Sequence, residues 1–288
     1  MIKGSIVDLI TPTHSDGSPD YEILETLVEW HIDNGSSALI VASAVNQSSA
    51  MHIDERTELL RRAIWQSDGR IDVIADLSSD HQEHVLAFAA AADEFGADAV
   101  LLRNPTSPIQ SQDALFDYFR AVIDSAKRPL IIGDDFTRPN LLSPPDILTL
   151  ANTSGVGGFV NYSKQPLQIE RQELPAEFAL YSGNLASAYQ SLCEGYSGIV
   201  SIVANIAPAL VQKLCSAVET GDTARADLLN ARLQPLVQAL LDESNVIPIK
   251  WALIEMGCIP EGIHPPVLAH THDYSNLRRA IRAAHIPI

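Results

Sequence analysis

Short apolar runs and longer stretches of helical period alternate along the chain as far as about residue 220. Residues 5–10 form the first run, closed by Thr11-Pro12. Residues 21–34 follow with Leu24, Leu27, Val28 and His31 at helical spacing, and Gly35 stops them. A second run at 38–42, Ala-Leu-Ile-Val-Ala, precedes a helix over 54–66 that Asp54 caps and whose outer face is charged. Further strands fall at 73–76, 99–103, 129–133, 157–161, 178–182 and 198–201. The spacing predicts helices over about 80–95, 112–125, 144–151 and 186–194. Apolar runs alternating with helices imply a parallel sheet, and eight of them favour closure into a barrel. Beyond residue 220 no strand pattern is left, and 223–241, 247–257 and 275–284 read as three helices. The expected architecture is a (β/α)8 TIM barrel over residues 1–220 with a C-terminal three-helix extension, 221–288, packed on it.

The sixth run bears most on function, because barrel enzymes place their chemistry at the C-terminal ends of the strands. It reads Gly157-Gly158-Phe159-Val160-Asn161, continuing Tyr162-Ser163-Lys164. The last inward-facing position of the run is Val160, and valine offers no acid, base or nucleophile.

Composition narrows the partners. With 36 acidic against 19 basic residues, the net charge of −17 argues against nucleic acid and anionic membranes. Cys193, Cys215 and Cys258 have no metal-ligand spacing and read as buried thiols in a reducing compartment. Met1-Ile2-Lys3-Gly4 opens no secretory signal and no apolar stretch approaches membrane-spanning length, so a cytoplasmic location is expected. The nine histidines lack zinc spacing: His81 and His84 read as solvated, and His264, His270 and His272 as a surface cluster in a proline-rich connection. Trp30, Trp65 and Trp251 read as packing residues.

Several motifs resemble the dihydrodipicolinate synthase / N-acetylneuraminate lyase family. They are Gly4-Ser5-Ile6-Val7 with Thr11-Pro12, Trp30-His31-Ile32-Asp33-Asn34-Gly35, Asp68-Gly69-Arg70-Ile71, Ser182-Gly183, Gly198-Ile199-Val200-Ser201 with Ala204-Asn205, and Ile247-Pro248-Ile249-Lys250-Trp251-Ala252. They span nearly the whole chain. The resemblance implies a TIM barrel with a helical extension, assembled as a homotetramer, a dimer of dimers. It also implies pyruvate held without a cofactor, as a Schiff base on a lysine at the end of strand six. Such a lysine has to be desolvated so that its amine is neutral enough to attack.

On this sequence the family's Gly-Ile-Lys-Glu pattern falls on Gly158-Phe159-Val160-Asn161, so Val160 occupies the lysine position. The family's proton-relay tyrosines fall on Ser107 and Gly133. Its Gly-Thr-Thr-Gly-Glu loop falls on Ser43-Ala44-Val45-Asn46-Gln47, where the hydroxyls are gone but backbone N–H groups remain. Arg138 stands where the family meets substrate carboxylates, and Ser48 and Gly183 are retained. The implied ligand-binding set is Arg138, Ala44, Val45, Gly183 and Asn161, with Arg138 read equally well as a structural ion-pair partner. Of the five lysines only Lys164 lies on the catalytic side, as a solvated loop residue or one that loops back. Asp76, Asp134 and Asp135, near Asn161 and Arg103, are either arginine partners and caps or oxygen ligands for a hard metal. Asp8 is a candidate buried carboxylate whose partner the sequence does not name.

The expected function is that of a non-aldolase relative that binds a small carboxylate or serves in assembly. The alternative is a lyase acting on a small keto acid or sugar acid through a rebuilt site, using Lys164 or an Asp-bound metal. An ordinary pyruvate-dependent aldolase is disfavoured by Val160.

Overall fold

The computed structural model describes residues 1–43, 51–79, 81–109, 111–241, 246–260 and 273–288. Eight strands close into one barrel in chain order: β1 (Gly4–Asp8), β2 (Ala38–Val41), β3 (Asp72–Asp76), β4 (Ala99–Arg103), β5 (Leu130–Asp134), β6 (Val156–Asn161), β7 (Ala179–Ser182) and β8 (Gly198–Ser201). Every neighbouring pair is parallel, and β8 returns to β1. This is the (β/α)8 TIM barrel that the hydrophobic pattern predicts.

The period-2 alternation explains why both faces of each strand are apolar. Ile6, Ile40, Ile74, Leu101, Ile131 and Val160, among others, point inward and fill the barrel. Their chain neighbours Val7, Leu39, Val73, Leu102, Ile132 and Phe159 join the separate layer beneath the helices. β8 closes on β1 because Gly198 has no side chain; a Cβ there would run into the Gly4 carbonyl.

The helices are α1 (Tyr21–Asp33), α2 (Ile53–Ser67), α3 (Gln82–Phe95), α4 (Gln112–Ser125), α5 (Pro144–Ala151), α6 (Ala188–Cys193) and α7 (Pro208–Glu219) around the barrel, then α8 (Thr223–Leu241), α9 (Ile247–Glu255) and α10 (Ser275–Ala283). α2 starts slightly earlier than its acidic residues suggest, because His52 rather than Asp54 caps it. α7 was not expected from the pattern, although Pro208 in its first turn is a helix-start signal. The connection from β6 to β7 carries only a 3-10 turn at Arg171–Glu173.

The buried layer continues from the barrel helices into Leu233 and Leu236 of α8, Ile249 and Leu253 of α9, and Ile281 of α10. Trp251 stacks on Tyr274 at 4.7 Å. Two expectations about packing fail. Trp65 lies on the outer face of α2, 71% exposed, and Cys193 is an exposed rather than buried thiol. The cluster expected of His264, His270 and His272 lies outside the described residues.

Candidate functional site

The C-terminal ends of β1, β3, β4, β5 and β6 place Asp8, Asp76, Arg103, Gly133 and Tyr162 in one layer across the barrel mouth. Each lies two residues beyond an inward-facing apolar residue: Ile6, Ile74, Leu101, Ile131 and Val160. Arg103 is the hub of this layer. Its guanidinium donates to Asp76 through Nη1, to Asp8 through Nη2 at 3.2 Å, and to the Tyr162 hydroxyl through Nη2 at 3.0 Å. Arg103 and Asp76 are completely buried, and Asp8 nearly so.

The network holds because each charge has an opposite within contact. Burial disfavours the Asp76 carboxylate, but Arg103, the Ser78 donors and Arg56 outweigh it, so its pKa falls below the usual range. Burial likewise disfavours the Arg103 cation, yet Asp76, Tyr162 and Asp8 keep it firmly protonated. Burial also raises the Tyr162 phenol, although Arg103 pulls the other way. Beneath them Arg56 donates through Nη2 to the Asp76 carbonyl at 2.6 Å and lies over the Phe88 ring.

Gly133 and Gly183 are conditions for this arrangement. A Cβ on Gly133 would stand 3.0 Å from Arg103 Cγ and 3.2 Å from Tyr162 Cε2. On Gly183 it would stand 2.6 Å from Tyr162 Cε1. A glycine at 133, an arginine at 103 and a tyrosine at 162 therefore form one steric unit.

Above this layer opens a cleft of about 700 Å³ lined by Asp8, Arg103, Asp135, Arg138, Tyr162 and Gly183, among others. Arg138 sits at its rim. Its Nε faces Asp135 at 3.3 Å, and its Nη1 donates to the Asn104 carbonyl at 2.9 Å. Nη2 makes no hydrogen bond to the described residues, so Arg138 is at once an ion-pair partner and a potential anion donor. The loops after β4 and β5 that carry it are laced together by Asn104, which bonds the Asp135 and Pro139 carbonyls and the Asp135 N–H, and by Asn140.

The remaining sequence-predicted residues distribute unevenly. Val160 is fully buried in the barrel, paired in register with Gly133 and Tyr181. Gly183 lines the cleft. Asn161 does not: its position is out of phase with Val160, and its amide holds the following turn through Gln165 O and Ser163 N. Ser107 is exposed on the loop after β4 and contributes its carbonyl to Asn140. Lys164 is exposed in the turn after β6. Ala44 and Val45, with Asn46, lie outside the described residues.

The aspartates resolve into separate roles. Asp76 belongs to Arg103 and Asp135 to Arg138, while Asp134 accepts from the Leu142 N–H at 3.3 Å. Burial, with Asp135 adding to it, lifts the Asp134 carboxyl to about 6. Among the described residues no group of three or more His, Cys, Asp or Glu side chains is placed to hold a metal ion. Tyr162 is the residue that sequence reasoning missed; strict alternation from Gly158 through Val160 puts it in the mouth.

The full length of the chain matches known proteins. The sequence profile of the dihydrodipicolinate synthetase family covers residues 1–284. The chain belongs to this family. It is 37% identical over 287 residues to the 4-hydroxy-tetrahydrodipicolinate synthase of Methylococcus capsulatus, covering 99% of this chain and 98% of that one. A solved structure of the chloride-inhibited dihydrodipicolinate synthase from Acinetobacter baumannii with pyruvate superposes with a TM-score of 0.91 at 31% identity, covering 99% of this chain and 100% of that one. Another, described as the first monomeric dihydrodipicolinate synthase variant, gives a TM-score of 0.89 at 26% identity, covering 99% and 97%.

A second lysine stands out within this family member. Lys250 on α9 is 1% exposed, and among the described residues it bonds Thr13 Oγ1, at 3.4 Å. Burial lowers its pKa to about 8. It does not line the cleft. Because its folded pKa lies below the unfolded value, stability contributed by this site rises with pH between about 8 and about 10.5. Lys250→Met is therefore expected to raise folding stability at pH 7 by up to roughly 3 kcal/mol. Denaturant titrations should show the gain shrinking towards pH 10.5, and a variant that is less stable at pH 7 would contradict this account.

Proposed function

We propose that this chain is a non-aldolase member of the dihydrodipicolinate synthetase family that binds a small carboxylate in the cleft at the barrel mouth. The observation that carries the reading is Val160, buried at the family's lysine position beneath the network that joins Arg103 to Asp8, Asp76 and Tyr162. An imine needs an amine at that place, and a valine side chain cannot supply one. Arg138 is the group that meets the ligand, through its unengaged Nη2.

Two features weigh against a lyase with a rebuilt site. Lys164 is exposed, without the desolvation that makes a lysine nucleophilic. Asp76 and Asp135 are each committed to an arginine, which leaves no convergent oxygen set for a metal among the described residues.

The reading has a direct test in calorimetry. Pyruvate and its hydroxyl analogue lactate should bind with comparable affinity, because no step of recognition uses a ketone. Arg138→Ala removes a charge-assisted hydrogen bond of roughly 1.5–3 kcal/mol, so both should weaken tenfold or more. Unchanged affinity in that variant would make Arg138 purely structural. A strong preference for pyruvate would favour carbonyl chemistry.

We further propose that residues 1–220 and the helices of 221–288 act as one unit, and that four chains assemble as a dimer of dimers. The family resemblance supports the assembly, and the loop containing Ser107 faces the neighbouring subunit in it. Light scattering at micromolar concentration should give the mass of four chains; a stable monomer would overturn the assignment.

A further inference from the structure

The cleft at the barrel mouth is larger than a small carboxylate needs. Its volume of about 700 Å³ lies in the range of sites that enclose drug-sized ligands, and an acid the size of pyruvate fills a minor part of it.

Most polar side chains of the lining are engaged with one another. Asp8 is paired with Arg103 and Asp135 with Arg138, and the Thr137 hydroxyl donates to Asp135 at 2.7 Å. Asn184 accepts from the Ala186 N–H at 3.1 Å. A ligand rich in hydroxyl groups would have to break such bonds to be recognised, at the cost of the partners left behind. What these groups leave to a ligand is an apolar wall. Val200 and Ile202 supply it from the end of β8, and Phe136 and Pro139 from the loop after β5. Those two strands stand three apart in the closed barrel, so the apolar groups reach the cleft from different sides.

Phe136 is 51% exposed, on a loop braced by Asn104, Asn140 and the Asp135–Arg138 pair. Its ring is therefore held at the cleft before any ligand arrives. Arg138, on the same loop, brings its unengaged Nη2 to the same cleft. One braced loop thus presents an open anion donor and an open aromatic ring together.

We propose, on the carboxylate reading given above, that the ligand is an arylalkanoic acid: its carboxylate meets Arg138 Nη2, and its ring packs on Phe136 and against Val200 and Ile202. Aromatic rings bury a large area and pair well edge-on or offset, which suits a cleft walled by Phe136 and the ring of Tyr162.

Calorimetry on the intact protein with lactate, phenyllactate and phenylethanol tests this, because the three differ only by the ring or the carboxylate. Phenyllactate should bind about tenfold tighter than lactate, the gain from burying the added ring. Phenylethanol should bind at least about tenfold weaker than phenyllactate. Phe136→Ala changes an exposed side chain and should lower the phenyllactate-to-lactate affinity ratio severalfold. Equal affinities for the two acids, both weakened by Arg138→Ala, would overturn the aromatic assignment and leave the carboxylate reading standing. An unchanged ratio in Phe136→Ala would also overturn the aromatic assignment. Phenylethanol binding as tightly as phenyllactate, or no binding of either acid, would overturn both.

Discussion

Arg103→Met is expected to destabilise the fold by roughly 3–5 kcal/mol, because it strips the counter-ion from two carboxylates buried at the barrel mouth. Surface ion pairs of the same kind contribute at most about 1 kcal/mol, so Arg61 or Arg62 on α2 serves as the control. The loss should depend on pH in a definite direction. In the native protein Asp76 titrates below its unfolded value, so its contribution is present above the usual carboxylate range and disappears as pH falls through the folded pKa. In Arg103→Met the strongest opposition to burial is gone, Arg56 and the Ser78 donors being weaker, and protonation relieves the strain. The difference between variant and native protein should therefore narrow on acidification. Adding Asp8→Ala and Asp76→Ala to Arg103→Met should recover most of the stability, since a buried pair replaced as a whole is far less costly than one partner removed. A triple variant as unstable as the single one would mean that Arg103 acts through packing alone.

Val160→Lys is the second large expectation. On the proposed reading it places an amine at the lysine position that the family resemblance implies, in an apolar layer next to the Arg103 network. Burial and the neighbouring cation both depress its pKa, which permits attack on a ketone at neutral pH. Incubation with pyruvate and borohydride should therefore add one adduct mass at residue 160. Turnover should remain slow by ~10²–10⁴, the range that general acid–base help supplies. Ser107 is exposed on its loop and Gly133 has no side chain. Among the described residues the one phenol lining the mouth, Tyr162, has a raised pKa and is held by Arg103. Adding Tyr162→Phe to Val160→Lys should leave that residual rate unchanged. A clear fall would show that Tyr162 already moves protons.

What could be read from the sequence follows from which interactions are local. Strand and helix periods reflect burial of nearest neighbours, so β4, β8, α4, α5 and α8 fall where the pattern puts them. The inward, buried position of Val160 was equally legible, because the alternation along its apolar run fixes its phase. The partners of Asp8 and Arg103 were not. They lie 95 residues apart in the chain and meet only after the barrel closes. Tyr162 was within reach, since it continues the alternation of Gly158 and Val160, but an apolar run that ends at Asn161 hides it. Asn161 stands next to the inward-facing position, and its amide holds the turn that follows. Lys250 illustrates a different limit, because its burial on α9 depends on tertiary contact rather than on its own helix.

The central claim, that β6 carries no Schiff-base chemistry, is tested most directly on the native protein by borohydride trapping with pyruvate and peptide mapping by mass spectrometry. The account predicts no adduct on any residue of β6 or the turn after it, Lys164 included. A reduced pyruvyl adduct on Lys164 would contradict it.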